Sequence, residues 1–489
     1  MPTRRSVLHA ALATAASGAL TGAALTPLLT HRRDQPATVP AAEAAALAIQ
    51  KFALPMPIPA TLTPYSTTDG VDRYRITMRP AKAQILPGIQ TDVLTYDGHF
   101  PGPVIRARSG RPVKILQTNQ TDMGTSVHLH GASVPPGEDG SPMSPINPGT
   151  SRWYTYPNKQ PHASLWFHDH VHHMESEHVY RGLAGTYLLT DATEQALPLP
   201  AGQYDVPVAL RDAHLDDSGQ LAYKMLDFPS RTTLLANGVA YPYFQVAARK
   251  YRIRLLNSSN LRFFKLRLAD GGEMIQIGSD GGLLPGPSPT TSISLSPAER
   301  ADVVIDFSRY PVGTQIVLEN TLLNGASADL VGQVLRFDVV RTADDPSSVP
   351  SVLRTLPPLP TPTVQRNVVL QLEETGLPDA KGFINGKVYD PERIDTSIRH
   401  GASEVWTVTN PNRFSPHNLH LHLVQFRIIE RNGQPPAPGE AGLKDTVAVM
   451  PGETVKLQAT FDTYRGVYLY HCHLLDHSAM GMMAQYKVS

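Results

Sequence analysis

The 489-residue sequence has a single cysteine, Cys472, so no disulfide can form within the chain. Lysine and arginine together number 43, as do aspartate and glutamate, so no basic excess suggests a nucleic-acid partner. Beyond the N-terminal segment, no run reaches the about 18 apolar residues that a membrane-spanning helix needs. These shortages exclude a disulfide-stapled scaffold and argue against nucleic-acid binding and against a membrane span in the mature chain.

Proline and glycine are abundant instead, with 44 and 36 residues. Short runs rich in valine, isoleucine, threonine and tyrosine alternate with glycine, proline and asparagine, which predicts short strands joined by turns. One short helix is expected, within residues 172–185. The length suits about three domains of ordinary size. The sequence therefore predicts an all-β protein of several domains.

The chain repeats one pattern three times, between proline-rich connectors at residues 197–200 and 346–362. Each block has a strand leading to an asparagine and, later, a proline turn. Twenty residues after the three turn prolines, Pro148, Pro297 and Pro451, lie His168-Asp169-His170, Val317-Leu318-Glu319 and His471-Cys472-His473. The first and third blocks thus carry candidate ligands at equivalent places, and the middle block carries none. A repeated all-β unit of this kind predicts three Greek-key β-sandwiches.

The predicted boundaries are an N-terminal segment over residues 1–45 and three domains over 46–196, 197–345 and 346–489. Arg4 and Arg5 precede an alanine-rich stretch, the pattern of a twin-arginine export signal; a frayed helical tail is the alternative. This route exports folded proteins, which suits a cofactor loaded before export. We therefore expect a periplasmic, cell-surface or secreted protein.

The cysteine lies between two histidines, with His477 five residues and Met482 ten residues after it. Side chains alternate on a strand, so His471 and His473 point to one face and Cys472 to the other. One tripeptide could then serve two metal sites. A cysteine, two histidines and a distant methionine are the ligands of a blue-copper centre, whose second histidine must come from elsewhere. The alternative is a buried cysteine among incidental histidines.

Ten of the 19 histidines fall in four clusters, and each cluster contains a His-X-His pair. The pairs are His128/His130, His168/His170, His420/His422 and His471/His473. Eight imidazoles are too many for one ion but suit a metal cluster. Imidazole binds copper, zinc, iron or nickel, so zinc is the alternative for any one pair. The thiolate–methionine set beside the pairs favours copper.

With these four motifs in this order, the sequence resembles the multicopper oxidases, in particular their three-domain, laccase-like bacterial branch with cupredoxin-like domains. The resemblance implies four copper ions: one type 1, one type 2 and a binuclear type 3 site. It implies His417, Cys472 and His477 as type 1 ligands, with Met482 axial. It assigns His128 and His420 to type 2 copper. One type 3 copper is assigned His130, His168 and His473, and the other His170, His422 and His471.

The resemblance also implies an activity, in which phenols or aromatic amines lose single electrons at type 1 copper and dioxygen is reduced to water at the trinuclear cluster. Cys472 and the flanking His471 and His473 then connect the two sites. Asp139 matches an acid that helps to deliver protons, although an aspartate before glycine is also common in turns. Related bacterial laccases often have an acid directly after the position of His477, where this chain has Ser478.

Other histidines near the second motif match no ligand position. We expect them, with two glutamates, to form a solvated helix face; the set is His162, His172, His173, His178, Glu175 and Glu177. Met480 and Met483 are expected to pack in the core or at the rim.

Three alternative functions stay open. A metallo-oxidase would oxidise Cu(I) or Fe(II), but that branch commonly has a methionine-rich insert, and this chain has only 12 methionines and no such run. Oxidation of bilirubin is a second alternative. Copper-free relatives with structural roles at the cell envelope are the third, which the complete set of ligand positions disfavours.

Overall fold

The computed structural model of the protein describes residues 49–375 and 380–489. The predicted export signal lies outside the described residues. Within the described ranges, no helix combines the length and the apolar character needed to cross a bilayer.

The first group of strands forms two four-stranded sheets. Its strands are β1 (Asp72–Ala83), β2 (Thr91–Tyr96), β3 (Val104–Arg108), β4 (Val113–Asn119), β5 (Val127–His130), β6 (Ser151–Tyr156), β7 (Ala163–Asp169) and β8 (Ala184–Thr190). The sheet orders are β2-β1-β4-β6 and β3-β8-β7-β5. Alternate residues of β4 are buried, as expected of a strand with one face on a core.

The second group forms a seven-stranded and a five-stranded sheet. Its strands are β9 (Asp205–Ala213), β10 (Thr233–Ala236), β11 (Val239–Ala240), β12 (Tyr243–Ala248), β13 (Lys250–Asn257), β14 (Phe264–Leu268), β15 (Met274–Ser279), β16 (Gly282–Thr290), β17 (Ile293–Leu295), β18 (Arg300–Asp306), β19 (Gln315–Asn320) and β20 (Gln333–Thr342). The orders are β11-β10-β9-β13-β18-β15-β16 and β12-β20-β19-β14-β17.

The third group forms two five-stranded sheets. Its strands are β21 (Val364–Leu372), β22 (Gly382–Ile384), β23 (Thr396–Ile398), β24 (Ser403–Thr409), β25 (His417–Leu421), β26 (Phe426–Arg431), β27 (Thr446–Val449), β28 (Thr454–Thr460), β29 (Gly466–Cys472) and β30 (Met483–Val488). The orders are β22-β21-β24-β28-β26 and β23-β30-β29-β25-β27.

The α-helices are few and short in the described part of the chain. They are α1 (Glu175–Arg181), α2 (Ala192–Gln195), α3 (Ala328–Val331) and α4 (Leu475–Ala479). The helix expected within residues 172–185 is α1, and it is shorter than that range. Gly182 ends it with φ +130°, and β8 begins at Ala184.

Each group of strands encloses its own hydrophobic core. Residues such as Ile76 and Val113 form the first core, Val208 and Phe337 the second, and Trp406 the third. The predicted all-β architecture of three successive sandwiches is confirmed. The exact domain boundaries stay predictions.

Register within the sheets places the histidine motifs side by side. In the first sandwich β5 pairs with β7 so that His128 lies opposite His168. In the third, β25 pairs with β29 so that His420 lies opposite His471. Every residue of β5, β7 and β25 is buried, so these strands have no solvent face. One face of each strand packs on a sandwich core, and the other face carries the histidine side chains.

Candidate metal centres

The eight histidines of the four His-X-His pairs lie together in one buried cluster between the first and third sandwiches. Their ring nitrogens approach one another across the interface. The Nε2–Nε2 distances are 3.4 Å for His128–His420, 3.3 Å for His168–His473, 3.3 Å for His170–His471 and 3.2 Å for His422–His471. Within each pair the ring centroids are 4.8–5.8 Å apart, as strand alternation predicts.

On the side of each ring that faces away from the cluster, a hydrogen bond determines which nitrogen is free to bind a metal. The Nδ1 atom of His128 lies 2.7 Å from the carbonyl oxygen of Asp139, and that of His420 lies 2.8 Å from the carbonyl oxygen of Asp445. His168 and His471 make similar bonds to the carbonyl groups of Asp169 and Cys472. A carbonyl only accepts, so each Nδ1 carries the proton and each Nε2 presents a lone pair.

The converging lone pairs suit metal ions. Burial lowers the pKa of His128, His168, His170, His420 and His471 well below the ordinary value, and neighbouring imidazoles lower it further. His128 and His420, which both have protonated Nδ1 atoms, therefore have no proton to share at their Nε2–Nε2 contact. Metal cations at these points would satisfy the lone pairs, and imidazole is a good copper ligand. The donor set therefore fits the copper ions that the sequence predicts.

His130 is oriented differently from the others. Its Nε2 atom lies 3.0 Å from Oδ1 of Asp445 and 3.1 Å from the Thr446 hydroxyl. Its Nδ1 atom is buried without a hydrogen-bond partner among the described residues. We infer that His130 offers Nδ1 to the cluster.

A second, smaller group surrounds the cysteine. The Cys472 sulfur lies 3.8 Å from Nδ1 of His417 and 3.7 Å from Nδ1 of His477, and these two nitrogens are 3.2 Å apart. The Nε2 atom of His417 bonds to Oδ1 of Asn412 at 2.8 Å, which leaves its Nδ1 lone pair directed at the group. Burial raises the pKa of the Cys472 thiol to about 12, so a metal ion must displace its proton to bind.

Met482 lies beside this group through its backbone. Its N–H donates to the carbonyl oxygen of His477, and its own carbonyl accepts from the N–H of Cys472, both at 3.1 Å. The side chain is fully buried. Cys472 and its neighbours His471 and His473 thus contribute to two different groups, as the alternation of a strand predicts.

Asp139 is placed against the histidine cluster. Its Oδ2 atom lies 2.8 Å from Nδ1 of His422, and burial raises the pKa of the carboxyl. Gly140, with φ +75°, lets the turn after Asp139 lie close to β5, because a Cβ there would lie 2.3 Å from the carbonyl oxygen of Val127. Asp139 is therefore a partner of the cluster as well as a turn residue.

Among the described residues, the middle sandwich supplies no member of the two clusters. It does support the histidine cluster from outside through Arg300, a role that the sequence did not indicate. The Arg300 guanidinium donates to both carboxylate oxygens of Asp445, at 2.7 and 2.5 Å, and Asp445 in turn holds His130. Asp280 accepts from the backbone N–H of Arg300 at 2.8 Å. A charged Lys444-Asp445 pair in an apolar stretch was the available sequence signal.

A second missed residue, Asp476, joins all three sandwiches next to His477. Its carboxylate accepts from the Ser176 hydroxyl, from the Leu226 N–H at 2.7 Å and from Arg231 at 3.1 Å. Asn260 donates to it as well, at 3.2 Å. The carboxylate is fully hydrogen-bonded, so it fixes the start of α4 and with it the ring of His477.

The prediction of a solvated helix face is wrong for three of its six residues. Glu175 and His178 are buried, because α1 packs against α4 instead of lying on the surface. His162 lies outside α1, directly before β7, and is buried where its Nε2 atom accepts from the N–H of Leu283 in the second sandwich. His178 bonds to Oδ2 of Asp169 at 3.0 Å and His162 to Asp191 at 2.8 Å. Among the others His173 is exposed, while His172 and Glu177 are half-buried. Met480 is half-buried and Met483 is in the interior, as expected.

His477 lines a cleft with a volume of about 610 Å³. Its walls are mainly apolar and come from the second and third sandwiches, with Phe228 and Phe263 on one side and Phe414 on the other. Glu373 and Glu374 add carboxylates. The cleft thus reaches the cysteine-centred group at the edge of His477.

Comparisons with known proteins agree with this geometry. Models of the multicopper oxidase family match residues 77–194 and 361–489, the two parts of the chain that hold both clusters.

Similar proteins extend over most of the chain. A laccase of Bacillus subtilis is 33% identical over 509 aligned residues, covering 89% of this chain and 98% of the relative. A bilirubin oxidase of Albifimbria verrucaria is 34% identical over 469 residues, covering 90% of this chain and 81% of the relative. The crystal structure of a laccase from Pediococcus acidilactici has a TM-score of 0.83 and 33% identity, covering 91% of this chain and 95% of that one.

Proposed function

Because this chain belongs to the multicopper oxidase family, we propose that it is a laccase-type enzyme whose reducing substrates are phenols and aromatic amines. Its three sandwiches are cupredoxin-type domains, and its cofactors are type 1, type 2 and type 3 copper. One observation carries the assignment. Cys472 joins the thiolate-centred group while its neighbours His471 and His473 join the eight-histidine cluster.

When bound, the copper ions supply one-electron oxidation of the substrate at one site and four-electron reduction of dioxygen to water at the other. His417, Cys472, His477 and Met482 would hold type 1 copper. His128 and His420 would hold type 2 copper. The type 3 pair would be held by His130, His168, His473 and by His170, His422, His471.

The chain's own residues perform three tasks in this scheme. Cys472 and the backbone to His471 and His473 provide a covalent path for electrons. The Nδ1–carbonyl bonds hold the imidazoles in one tautomer, which pre-organises the ligand atoms. Asp139, bonded to His422 and 3.5 Å from Nδ1 of His128, is the proposed acid that helps to supply protons.

The cleft beside His477 supports the proposed substrate class. His477 is 5% exposed, so only a narrow edge of it faces the cleft, and electron transfer has to occur through that edge. Apolar walls with aromatic rings suit planar aromatic molecules. Met450 is the one methionine among the described residues that line the cleft, which offers little soft ligation for Cu(I).

We further propose that the protein acts outside the cytoplasm. The twin-arginine pattern at Arg4-Arg5 supports this location. Fractionation of cells that express the full chain tests it, with Arg4→Lys/Arg5→Lys as the variant that should stay in the cytoplasm.

A steady-state panel on copper-loaded protein tests the substrate class. We expect substantial oxidation of 2,6-dimethoxyphenol and of aromatic amines without added copper, and at most modest stimulation by it. Cu(I) and bilirubin, measured under the same conditions, represent the alternatives. Efficient turnover of Cu(I), with phenol oxidation only in excess Cu(II), would replace this proposal by a metallo-oxidase. A preference for bilirubin over every phenol would also overturn it.

A further inference from the structure

Glu175 is a buried carboxyl that none of the proposed ligand sets uses. It begins α1, and its backbone N–H donates to the carbonyl oxygen of Val171, directly after His170, at 3.0 Å. Its Oε1 atom accepts a hydrogen bond from the hydroxyl of Ser478, directly after His477, at 3.1 Å. Both Glu175 and Ser478 are fully buried.

This position is where two chain segments leave the metal centres. β7 carries His168 and continues through His170 into α1, and β29 carries His471 and continues through Cys472 into α4. The Nε2 atoms of His170 and His471 lie 3.3 Å apart, and α1 packs against α4 just beyond them. Glu175 thus lies at the contact between the two segments.

The hydrogen bonding of Glu175 differs from that of a structural carboxylate. Asp476 nearby accepts from four groups on four segments, including Arg231. Glu175 has one side-chain donor, Ser478, and its Oε2 atom is buried without a hydrogen-bond partner among the described residues. Burial removes the carboxylate from water, and one hydrogen bond compensates little for that loss, so the protonated form is favoured.

The surroundings favour that form as well. The pKa of Glu175 is raised to about 8, chiefly by burial and to a smaller extent by the carboxyl groups of Asp169 and Asp476, against opposing hydrogen bonds from a backbone N–H and from Ser478. Tyr389 is a further titratable neighbour, and its own pKa is raised to about 12, chiefly by burial. Near neutral pH, Glu175 therefore carries a proton that it can release.

We propose that Glu175 is a proton-relay group for dioxygen reduction, and that Ser478 positions it. This inference rests on the proposed function. Four electrons from four substrate molecules and four protons convert one dioxygen to two waters. In each relay step the O–H bond of Glu175 breaks, its proton moves towards the histidine cluster, and solvent reprotonates the carboxylate. The proposed acid, Glu175, thus lies on α1 and accepts a hydrogen bond from Ser478, the residue that follows His477.

Glu175→Gln is the first test, because glutamine keeps the shape and still accepts from Ser478 but releases no proton. In stopped-flow experiments we expect normal reduction of the blue centre by phenol. Its reoxidation by dioxygen should slow by at least tenfold, within reach of the about 10²- to 10⁴-fold contribution of acid–base groups. Glu177→Gln is the matched control. Glu177 lies on the same helix and pairs with Arg181 at 2.6 Å, so its reoxidation rate should not change.

Two further variants separate a proton carrier from a structural hydrogen bond. Glu175→Asp retains a carboxyl and should reoxidise faster than Glu175→Gln. The double variant Glu175→Thr/Ser478→Glu moves the carboxyl to the other side of the same contact and should recover most of the rate. Infrared spectra of the resting protein supply a readout independent of turnover. The wild-type minus Glu175→Gln difference spectrum should contain the band of a protonated buried carboxyl at neutral pH, and the wild-type minus Glu177→Gln spectrum should not.

Three results would overturn the proposal. They are unchanged reoxidation in Glu175→Gln at full copper content, equal rates in the aspartate and glutamine variants, and a wild-type minus Glu175→Gln infrared difference spectrum without a carboxyl band. Failure of the proposed function is distinguishable, because the wild-type protein would then lack the blue centre or its reduction by phenol.

Discussion

Oδ1 of Asp445 lies 3.0 Å from Nε2 of His130, and both side chains are fully buried. His130 belongs to the first sandwich and Asp445 to the third, and Arg300 of the second neutralises the carboxylate through two hydrogen bonds. All three sandwiches therefore meet at one carboxylate. Such partners behind a ligand fix its orientation and its tautomer.

Arg300→Met should destabilise the apoprotein by about 3–5 kcal/mol, because it leaves the buried charge of Asp445 unpaired. Copper affinity should fall by about 10- to 100-fold, as His130 loses its fixed orientation. Denaturant titration and copper titration measure the two effects.

Arg267→Met is the matched control for this prediction. Arg267 pairs with Glu319 at 2.9 Å on the surface, where an ion pair contributes about 0–1 kcal/mol. Equal effects of the two variants on copper affinity would show that the contact between Asp445 and His130 does not depend on Arg300.

Much of the fold and of the candidate centres follows from sequence because it rests on local regularities. Strand alternation orients His128 with His130 and separates Cys472 from its neighbours, and the repeated proline turns reveal the successive sandwiches. Residues such as Arg300 and Glu175 lack this kind of signal. Each lies among other charged residues, Glu175 near Glu177 on α1 and Arg300 directly after Glu299, and only tertiary packing shows which group each of them contacts. The sequence shows a serine at position 478, where related bacterial laccases often have an acid. It does not show that the carboxyl of Glu175 lies next to that serine.

Cys472→Ser removes the soft thiolate that gives a blue-copper centre its colour. We expect a folded protein without absorption at about 600 nm and without oxidase turnover, since the electron path from the substrate site is lost. Visible spectra, copper content and circular dichroism measure these properties. Blue colour in this variant would disprove the assignment of Cys472.

Asp139→Asn keeps the shape of the side chain but holds no exchangeable acid proton. The bond to Nδ1 of His422 can persist, so copper loading should stay near normal. Reduction of the blue centre by substrate should be unchanged, while its reoxidation by dioxygen slows by about tenfold or more. Stopped-flow traces separate the two steps. Identical reoxidation rates would leave Asp139 with only its role in the turn at Gly140.

The stability of the apoprotein should depend on pH through Glu175. Its pKa is raised from 4.5 to about 8 in the folded protein, so the folded state binds more protons between these values. The stabilisation is fully present below the unfolded pKa and is lost as pH rises through the folded pKa. Glu175→Gln should remove this loss, which amounts to about 5 kcal/mol or less. Denaturation at a series of pH values measures it, and parallel pH profiles for wild type and variant would contradict the raised pKa.

Phe414 should contribute to substrate affinity, because it lines the cleft beside His477 and is 69% exposed. An aromatic contact adds about 0.5–1.5 kcal/mol, so Phe414→Ala should raise KM for phenols by about 2- to 10-fold. The kcat value should stay near that of the wild type, since His477 and its bonds are untouched. Trp153→Ala, an exposed aromatic of β6 outside the cleft, is the control and should change neither constant. If Phe414→Ala leaves KM unchanged while the blue absorption is normal, substrates do not bind against this wall.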